Sequence, residues 1–225
     1  MFERFKQRSH ELERLDTGDY TEAEYRRWQT EMRFVHRLWG EMRALRNSLF
    51  RDLSGETGHV SILDVGAGSG ELLRELTKWF GGRATLTGVE INETAARSFK
   101  SGGIAAVLAD GLRLPFETDS FDAVFCTLFL HHLSDDDAPR LLAEMARVSR
   151  GRIYAIDLNR DPMAYYFYKT VGRIFLQRLT LDDGALSILR SFTAKELRGL
   201  AKTARLRHVE VQSSRVNRLV LSGTK

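Results

Sequence analysis

From residue 60 onward the chain alternates short apolar runs with short helical patterns. This predicts an α/β fold: a doubly wound, seven-stranded, mostly parallel sheet with an N-terminal helical extension. The first observation is Val60-Ser-Ile-Leu-Asp-Val65, an apolar run of the kind a buried parallel strand shows, ending in a Gly-rich turn. The second is the repetition of strand followed by helix as far as Leu158. The third is a pair of short strand patterns near the C-terminus joined by Ser213-Ser214-Arg215, which reads as an antiparallel hairpin ending the sheet.

The first fifty residues carry no strand pattern. Leu12, Leu15, Tyr25, Trp28, Met32, Val35, Leu38, Trp39, Met42, Leu45, Leu49 and Phe50 recur at helical spacing. Thr17-Gly18-Asp19-Tyr20 interrupts them, and Thr21 with Glu24 makes a capping box for a second, longer helix. Residues 1–55 are therefore expected to stand outside the sheet as an extension or lid, with the main domain over 56–225. After the first strand, Glu71–Phe80 reads as a helix closed by Gly81-Gly82. Strands are expected at Ala84–Glu90, 105–109, 121–128 and 152–158, with helices over 93–101 and about 135–149. A helix-like stretch over 162–179 is rich in aromatics (Tyr165, Tyr166, Phe167, Tyr168, Phe175), and 162–190 is expected to be an insert. Thr193 and Glu196 cap another helix, and 208–212 with 218–221 form the closing hairpin.

At 225 residues the chain accommodates one domain with extensions and a sizeable core. Its 43% hydrophobic and 28% charged residues exclude a disordered or membrane-embedded class. The net charge is only +4, yet Arg190, Lys195, Arg198, Lys202, Arg205, Arg207, Arg215 and Arg218 crowd the C-terminal part with few acids between them. Such a run is either a solvated basic face or an attractor for an anionic substrate, nucleic acid or lipid surface. The single cysteine, Cys126, excludes an intramolecular disulfide and a Cys-rich zinc site, and its apolar surroundings predict a core residue. Residues 1–16 are charged and unlike a signal peptide, and no segment is long and apolar enough to span a bilayer, so a cytoplasmic location is expected.

The chemistry concentrates in Ile62-Leu-Asp-Val-Gly-Ala-Gly-Ser-Gly-Glu-Leu72. Gly66, Gly68 and Gly70 fall where a strand turns sharply into a helix and a ligand can approach the backbone closely. The helix starting near Gly70 points unpaired N–H groups and its positive dipole end into the same crevice. The spacing is G-x-G-x-G, with Glu71 where the dinucleotide fingerprint needs its third glycine. Asp64 puts a carboxylate at the strand tip, which repels a pyrophosphate and attracts an ammonium group. Nicotinamide and flavin cofactors are thereby disfavoured, and a ligand with a cationic amino-acid end is favoured. Glu90 ends the second strand about 20 residues beyond the loop, the position where an acid takes both ribose hydroxyls. Asp110, ahead of Gly111-Leu112, can accept an adenine amino group, and the following N–H can reach a ring nitrogen.

In these residues the chain resembles the class I S-adenosylmethionine-dependent methyltransferases. More narrowly, it is similar to the small-molecule group of ubiquinone and menaquinone biosynthesis methyltransferases, the methyltransferase domain 11 type. The resemblance rests on Leu63-Asp-Val-Gly-Ala-Gly-Ser-Gly70, Gly88-Val-Glu-Ile91, Ala109-Asp-Gly-Leu-Arg-Leu-Pro-Phe116, Asp119-Ser-Phe-Asp-Ala-Val124 and Leu128-Phe-Leu-His-His-Leu133, and covers about residues 60 to 158. It implies a Rossmann-like sheet with a reversed last strand and S-adenosylmethionine as cofactor. It implies that Asp64 and the backbone of Gly66, Ala67, Gly68 and Gly70 hold the methionine end, and that Glu90, with Ile91 beside it, holds the ribose. Asp110, Gly111 and Leu112 would then hold the adenine, while Thr127 and Leu128 line the crevice near the sulfonium.

The expected activity is methyl transfer to a small lipophilic or aromatic acceptor, with O-methylation slightly favoured. Because the methyl arrives activated, the protein mainly has to align a nucleophile and exclude water, and a hydroxyl acceptor is helped by a general base. His131 and His132, after the fourth strand, and Asp157, at the end of the fifth, are the candidates. Consecutive residues point different ways, so at most one histidine is expected to face substrate. Some quinone O-methyltransferases carry a metal-binding Glu-x-x-Glu-His pattern where this chain has Leu128-Phe-Leu-His-His132; with neither glutamate present, no metal is expected. Tyr25, Trp28, Phe34 and Trp39, with Tyr165, Tyr166 and Tyr168, either close over the acceptor or pack as core. The alternatives are a nucleic-acid or protein methyltransferase, motivated by the basic C-terminal part, and a non-catalytic S-adenosylmethionine-binding protein. The fourth strand lacks an Asn-Pro-Pro-Tyr type of motif, so no nucleic-acid partner is expected, nor stable membrane insertion.

Overall fold

The computed structural model describes residues 3–38, 40–99, 104–214 and 216–225. Its strands are β1 (Val60–Val65), β2 (Ala84–Glu90), β3 (Ala105–Leu108), β4 (Ala123–Thr127), β5 (Ile153–Leu158), β6 (Arg207–Ser214) and β7 (Arg218–Thr224). They form one sheet in the order β3-β2-β1-β4-β5-β7-β6. The first five are parallel, and β7 runs antiparallel to both β5 and β6. The expected Rossmann-like sheet with its reversed C-terminal hairpin is therefore present. Successive connections step outward from β1 to β2 and β3 and then jump back to β4, so the C-terminal ends of β1 and β4 flank a crevice. The continuous apolar character of the parallel strands follows from burial on both faces: every residue of β5 is buried.

The helices are α1 (Arg14–Thr17), α2 (Glu22–Leu38), α3 (Glu41–Leu45), α4 (Arg51–Leu53), α5 (Glu71–Phe80), α6 (Glu93–Phe99), α7 (Asp137–Val148), α8 (Pro162–Phe175), α9 (Arg178–Arg190) and α10 (Ala194–Thr203), with a π turn at Arg46–Phe50. On one sheet face Leu141, Leu142 and Met145 of α7 and Leu197 and Ala201 of α10 pack on Leu63, Val124, Cys126 and Leu221. Cys126 is core, as its surroundings predict, and burial pushes its thiol well up. On the other face Leu73, Leu76 and Phe80 of α5 and Phe99 of α6 pack on Ile62, Leu86 and Phe125.

Several boundaries differ from expectation. The chain over 41–53 is not a separate extension, because Ala44, Leu45 and Leu49 belong to the second face of the core beside Tyr154, Ile156 and Val220. A buried ion pair between Glu41 of α3 and Arg218 of β7 fastens it there, with Arg218 Nε donating to Glu41 Oε1 at 2.9 Å. Helical periodicity alone does not reveal whether an apolar stripe faces its own neighbours or a distant strand. The stretch 162–179 is two helices, not one. It breaks at Leu176-Gln177, where the Gln177 N–H donates to both carboxylate oxygens of Glu31 at 3.1 Å and its side-chain amide to the Glu24 carbonyl at 2.8 Å. The end of the expected helix over 93–101 and Arg215 of the expected turn lie outside the described residues. Val216 and Asn217 close the hairpin in the left-handed conformation.

Much of the basic C-terminal crowd is structural or solvated. Arg190 and Arg218 are buried in ion pairs, whereas Lys195, Arg198, Lys202, Arg205 and Arg207 are exposed. Among the described residues no helix is long and apolar enough to cross a membrane.

Candidate active site

The loop between β1 and α5 turns through three glycines with positive φ: Gly66 at 76°, Gly68 at 54° and Gly70 at 72°. Packing explains two of them. A Cβ on Gly66 would stand 3.1 Å from Cγ of Phe129, and one on Gly70 would stand 2.7 Å from Cγ of Phe99. A Cβ on Gly68 would meet nothing within 4 Å. Gly68 therefore faces open space, and it is the glycine at which a ligand can lie against the backbone. Its N–H donates to Glu90 Oε2 at 2.9 Å, and Glu90 Oε1 accepts from the Asn92 N–H at 2.9 Å, so the acid that ends β2 also steadies the loop.

Asp64 lies beneath this loop, 1% exposed, and its Oδ1 has no hydrogen-bond partner. Burial, reinforced by the negative charge of Glu90, pushes its carboxyl well above the usual range. A buried acceptor left without a donor is costly in a native structure. Further along the same edge, Asp110 Oδ1 accepts from the Leu112 N–H at 2.8 Å, which shapes the turn after β3. Gly111 is confined by Val65, Phe129 and Leu141. Ile91 and Leu108 are large apolar residues left 72% and 56% exposed at this edge, a surface suited to a flat apolar ring. Leu108 escaped sequence reasoning because an apolar residue ending a strand reads as core.

At the end of β4, Thr127 and Leu128 are half-buried beside the crevice. Leu128 holds φ at 50°, secured by its N–H donating to the Ile156 carbonyl at 2.8 Å. A left-handed leucine is strained by about 1–2 kcal/mol, and such residues cluster at functional sites. Phe129 then wedges against both Gly66 and Gly111, joining three segments of the site through one ring.

His131 and His132 lie on a 3-10 turn, Leu130–His132. Contrary to expectation, their rings lie side by side, with centroids 4.2 Å apart. The expectation assumed strand geometry; in a 3-10 turn successive side chains are only ~120° apart, and rotamers close the remainder. His131 is buried and its Nδ1 lies 2.7 Å from Asp157 Oδ1. Asp157 also accepts from the His131 N–H at 3.0 Å and the Leu158 N–H at 2.7 Å. Burial alone would raise the Asp157 carboxyl, but His131 and these two N–H groups hold it below its usual range. Asp157 is thus a saturated carboxylate that orients His131, not a free base, and it leaves His131 Nε2 as the ring's open nitrogen.

The N-terminal segment covers this turn. Arg8 donates to the carbonyls of His131 and Leu133 at 3.2 and 3.1 Å, and its guanidinium lies 3.6 Å above the Phe192 ring. Glu13, 4% exposed, places Oε1 4.0 Å from His131 Nε2 and accepts from the Ser187 hydroxyl at 2.7 Å. Asp16 lies 3.5 Å from His132 Nδ1 and 2.6 Å from Arg190. Hydrogen bonding to His132 and Arg190 holds the Asp16 carboxyl well below its usual range. No local signal marks Arg8, Glu13, Asp16 or Arg190 for this site, since the contacts join segments more than a hundred residues apart.

Of the aromatic residues expected to form a cover, Tyr165 and Tyr168 are core, packed with Phe5, Leu158 and Ile188 in a third cluster against which Leu128 rests. Tyr166 and Phe34 are exposed, Tyr25 stacks between Tyr20 and Trp28, and Trp39 lies outside the described residues.

Part of the chain matches known proteins. Residues 62–152 match the family described as "Methyltransferase domain". The chain is 30% identical over 158 residues to "Methyltransferase GfsG" of Streptomyces halstedii, covering 66% of this chain and 49% of that protein. It is 25% identical over 163 residues to "Ubiquinone/menaquinone biosynthesis C-methyltransferase UbiE" of Saccharophagus degradans, covering 64% of this chain and 62% of that one. The chain thus spans 49% and 62% of these relatives' length. Among solved structures, the plantazolicin methyltransferase BpumL, in complex with a monoazolic desmethylPZN analog and SAH, superposes with a TM-score of 0.69 at 16% identity. That match covers 88% of this chain and 89% of BpumL, and it reports on the fold. The glycine loop, the acid ending β2 and the acid in the turn after β3 all lie within residues 62–152, the segment that matches the methyltransferase-domain family.

Proposed function

We propose that the chain transfers the methyl group of S-adenosylmethionine to a small lipophilic or aromatic acceptor at the crevice between β1 and β4. The observation that carries this reading is the orphaned, buried Oδ1 of Asp64 beside the open Gly68. An α-ammonium group satisfies the first, and a ligand backbone lying on the loop fills the second. The other residues fit the same ligand. Glu90 offers a carboxylate to vicinal hydroxyls, Asp110 with the Leu112 backbone faces the base, and Ile91 and Leu108 supply an apolar platform. When bound, S-adenosylmethionine supplies a methyl activated on sulfur. The chain's own work is to orient it, exclude water and hold the acceptor in line.

The acceptor side is read as the wall formed by Leu128, the His131–His132 turn and the N-terminal segment. Its polar part favours an acceptor with an oxygen nucleophile, and its apolar part a lipophilic one. The names of the relatives, a quinone C-methyltransferase and an enzyme crystallised with an azole-containing analog, support a small-molecule acceptor. Calorimetric titration with S-adenosylhomocysteine, with NADH as a control, tests the cofactor reading. Micromolar binding of the first alone, lost in Gly68→Arg, supports it. Binding of neither removes it.

A further inference from the structure

We propose that Glu13, His131 and His132 form a site for a divalent transition metal of the zinc class, assembled between the N-terminal segment and the turn after β4. Each residue offers one ligand atom, and the three atoms lie within 4.8 Å of one another. His131 Nε2 and Glu13 Oε1 are 4.0 Å apart. Zinc–ligand bonds of about 2.0–2.1 Å at tetrahedral angles put neighbouring ligand atoms ~3.4 Å apart, so side-chain adjustments of under ~1 Å complete the triangle.

The supporting groups are those a metal-binding histidine needs. A ligating imidazole characteristically gives its other ring nitrogen to a carboxylate, which fixes tautomer and ring direction. His131 has Asp157 at 2.7 Å from Nδ1, and His132 has Asp16 at 3.5 Å from Nδ1. Glu13 is oriented in turn by the Ser187 hydroxyl. Aligned in this way, both rings have their second nitrogen free of any carboxylate within hydrogen-bonding distance.

Charge supplies an independent argument. The carboxylates of Glu13 and Asp16 face the guanidinium of Arg190, at 3.6 Å and 2.6 Å, while Asp157 stands behind His131. The buried Arg8 is paired with the exposed Asp135, and Asp183 is engaged by the backbone N–H groups of Arg14 and Leu15. Three carboxylates thus stand against one guanidinium, and the side chains of Glu13, His131, Asp157 and Arg190 are 4–6% exposed. An uncompensated charge at that depth costs several kcal/mol per ion. One divalent cation balances it. The donor set of two nitrogens and one oxygen selects a borderline metal over magnesium or calcium, which take oxygen ligands. Three protein ligands leave a coordination position open, and His132, with its side chain 33% exposed, puts that position within reach of a small molecule. The inference does not depend on the methyl-transfer reading.

The test strips the full chain with a chelator and titrates zinc against a chromophoric competitor, with magnesium as a control. The expected result is one equivalent of zinc taken up in preference to magnesium, and a cobalt-substituted spectrum of mixed nitrogen and oxygen coordination. Glu13→Gln and His132→Gln should each abolish uptake while melting cooperatively. Asp157→Asn, which removes only the group behind His131, should weaken uptake by about 10–100-fold. No uptake by the wild-type chain, or equal uptake by Glu13→Gln and His132→Gln, overturns the site. So does NMR titration showing both histidines protonated at neutral pH in the presence of zinc. S-adenosylhomocysteine binding on the same samples separates this outcome from failure of the cofactor reading.

Discussion

Replacing Asp64 by Asn should make the empty protein more stable and the ligand-binding protein worse. The wild-type carboxyl is buried to 1% exposure, its Oδ1 has no partner, and burial with the nearby charge of Glu90 raises its pKa. In the unfolded chain the same group titrates near about 3.9. From there up to its raised native value, the folded state holds more protons than the unfolded state. Stability therefore falls as pH rises through that window. Asn has nearly the same shape and no charge. Removing the penalty should gain about 1–3 kcal/mol at neutral pH. For a chain of this size that is about 2–4 °C in Tm per kcal/mol. The gain should grow as pH rises from about 4 toward the raised native value, because the slope belongs to the wild type alone. Binding moves the other way: losing a charge-assisted hydrogen bond to the ligand's ammonium costs about 1.5–3 kcal/mol, or about 10–150-fold in S-adenosylhomocysteine affinity. Differential scanning fluorimetry across pH and calorimetry at one pH read the two effects separately. A variant that melts lower than wild type, or binds equally well, would refute the assignment of Asp64 as a carboxylate kept strained for a cation.

The loop glycines should separate by cause. Gly70→Ala drives a Cβ into Phe99 at positive φ and should cost about 2–4 kcal/mol, whereas Gly68→Ala should cost only the ~1–2 kcal/mol of left-handed strain yet weaken S-adenosylhomocysteine binding. Equal Tm losses in the two variants would contradict the packing argument. Arg218→Met should lose about 3–5 kcal/mol in urea denaturation by stranding the buried Glu41 carboxylate, and Glu41→Leu in the same chain should recover most of it. A double variant no better than the single would show that the pair is not the anchor of residues 41–53. Asp157, held below its usual range, should contribute stability that is present above about pH 4 and lost as pH falls through its depressed native value. Acid unfolding followed by circular dichroism should show a shallower transition in Asp157→Asn, and an unchanged one would mean that the His131 contact contributes nothing.

The sheet was readable because its information is local. Val60-Ser-Ile-Leu-Asp-Val65 must be buried on both faces, a glycine turn must follow it, Glu90 ends the next strand and Asp110 lies in the turn after the one beyond it, wherever the rest of the chain goes. The proposed cofactor side of the site is therefore a property of consecutive residues at or just beyond strand ends. The break at Gln177 and the docking of residues 41–53 were not readable, because Glu31 and Arg218 decide them from the far side of the sequence. The three loop glycines looked equivalent as letters, and only the positions of Phe99 and Phe129 show that two serve packing while Gly68 faces open space.

By itself, then, the sequence determined the α/β class and the alternation of strands and helices, which follow from periodicity and turn chemistry; the residues proposed to meet S-adenosylmethionine were singled out by the resemblance together with the charge at strand tips. Only the tertiary structure decided what stands opposite. It brought Glu13 and Asp16 onto His131 and His132, left Asp157 as a holder, and spent Arg190 on balancing buried carboxylates. Burial and through-space charge between segments more than a hundred residues apart have no local periodicity, so they become visible only when the chain has folded.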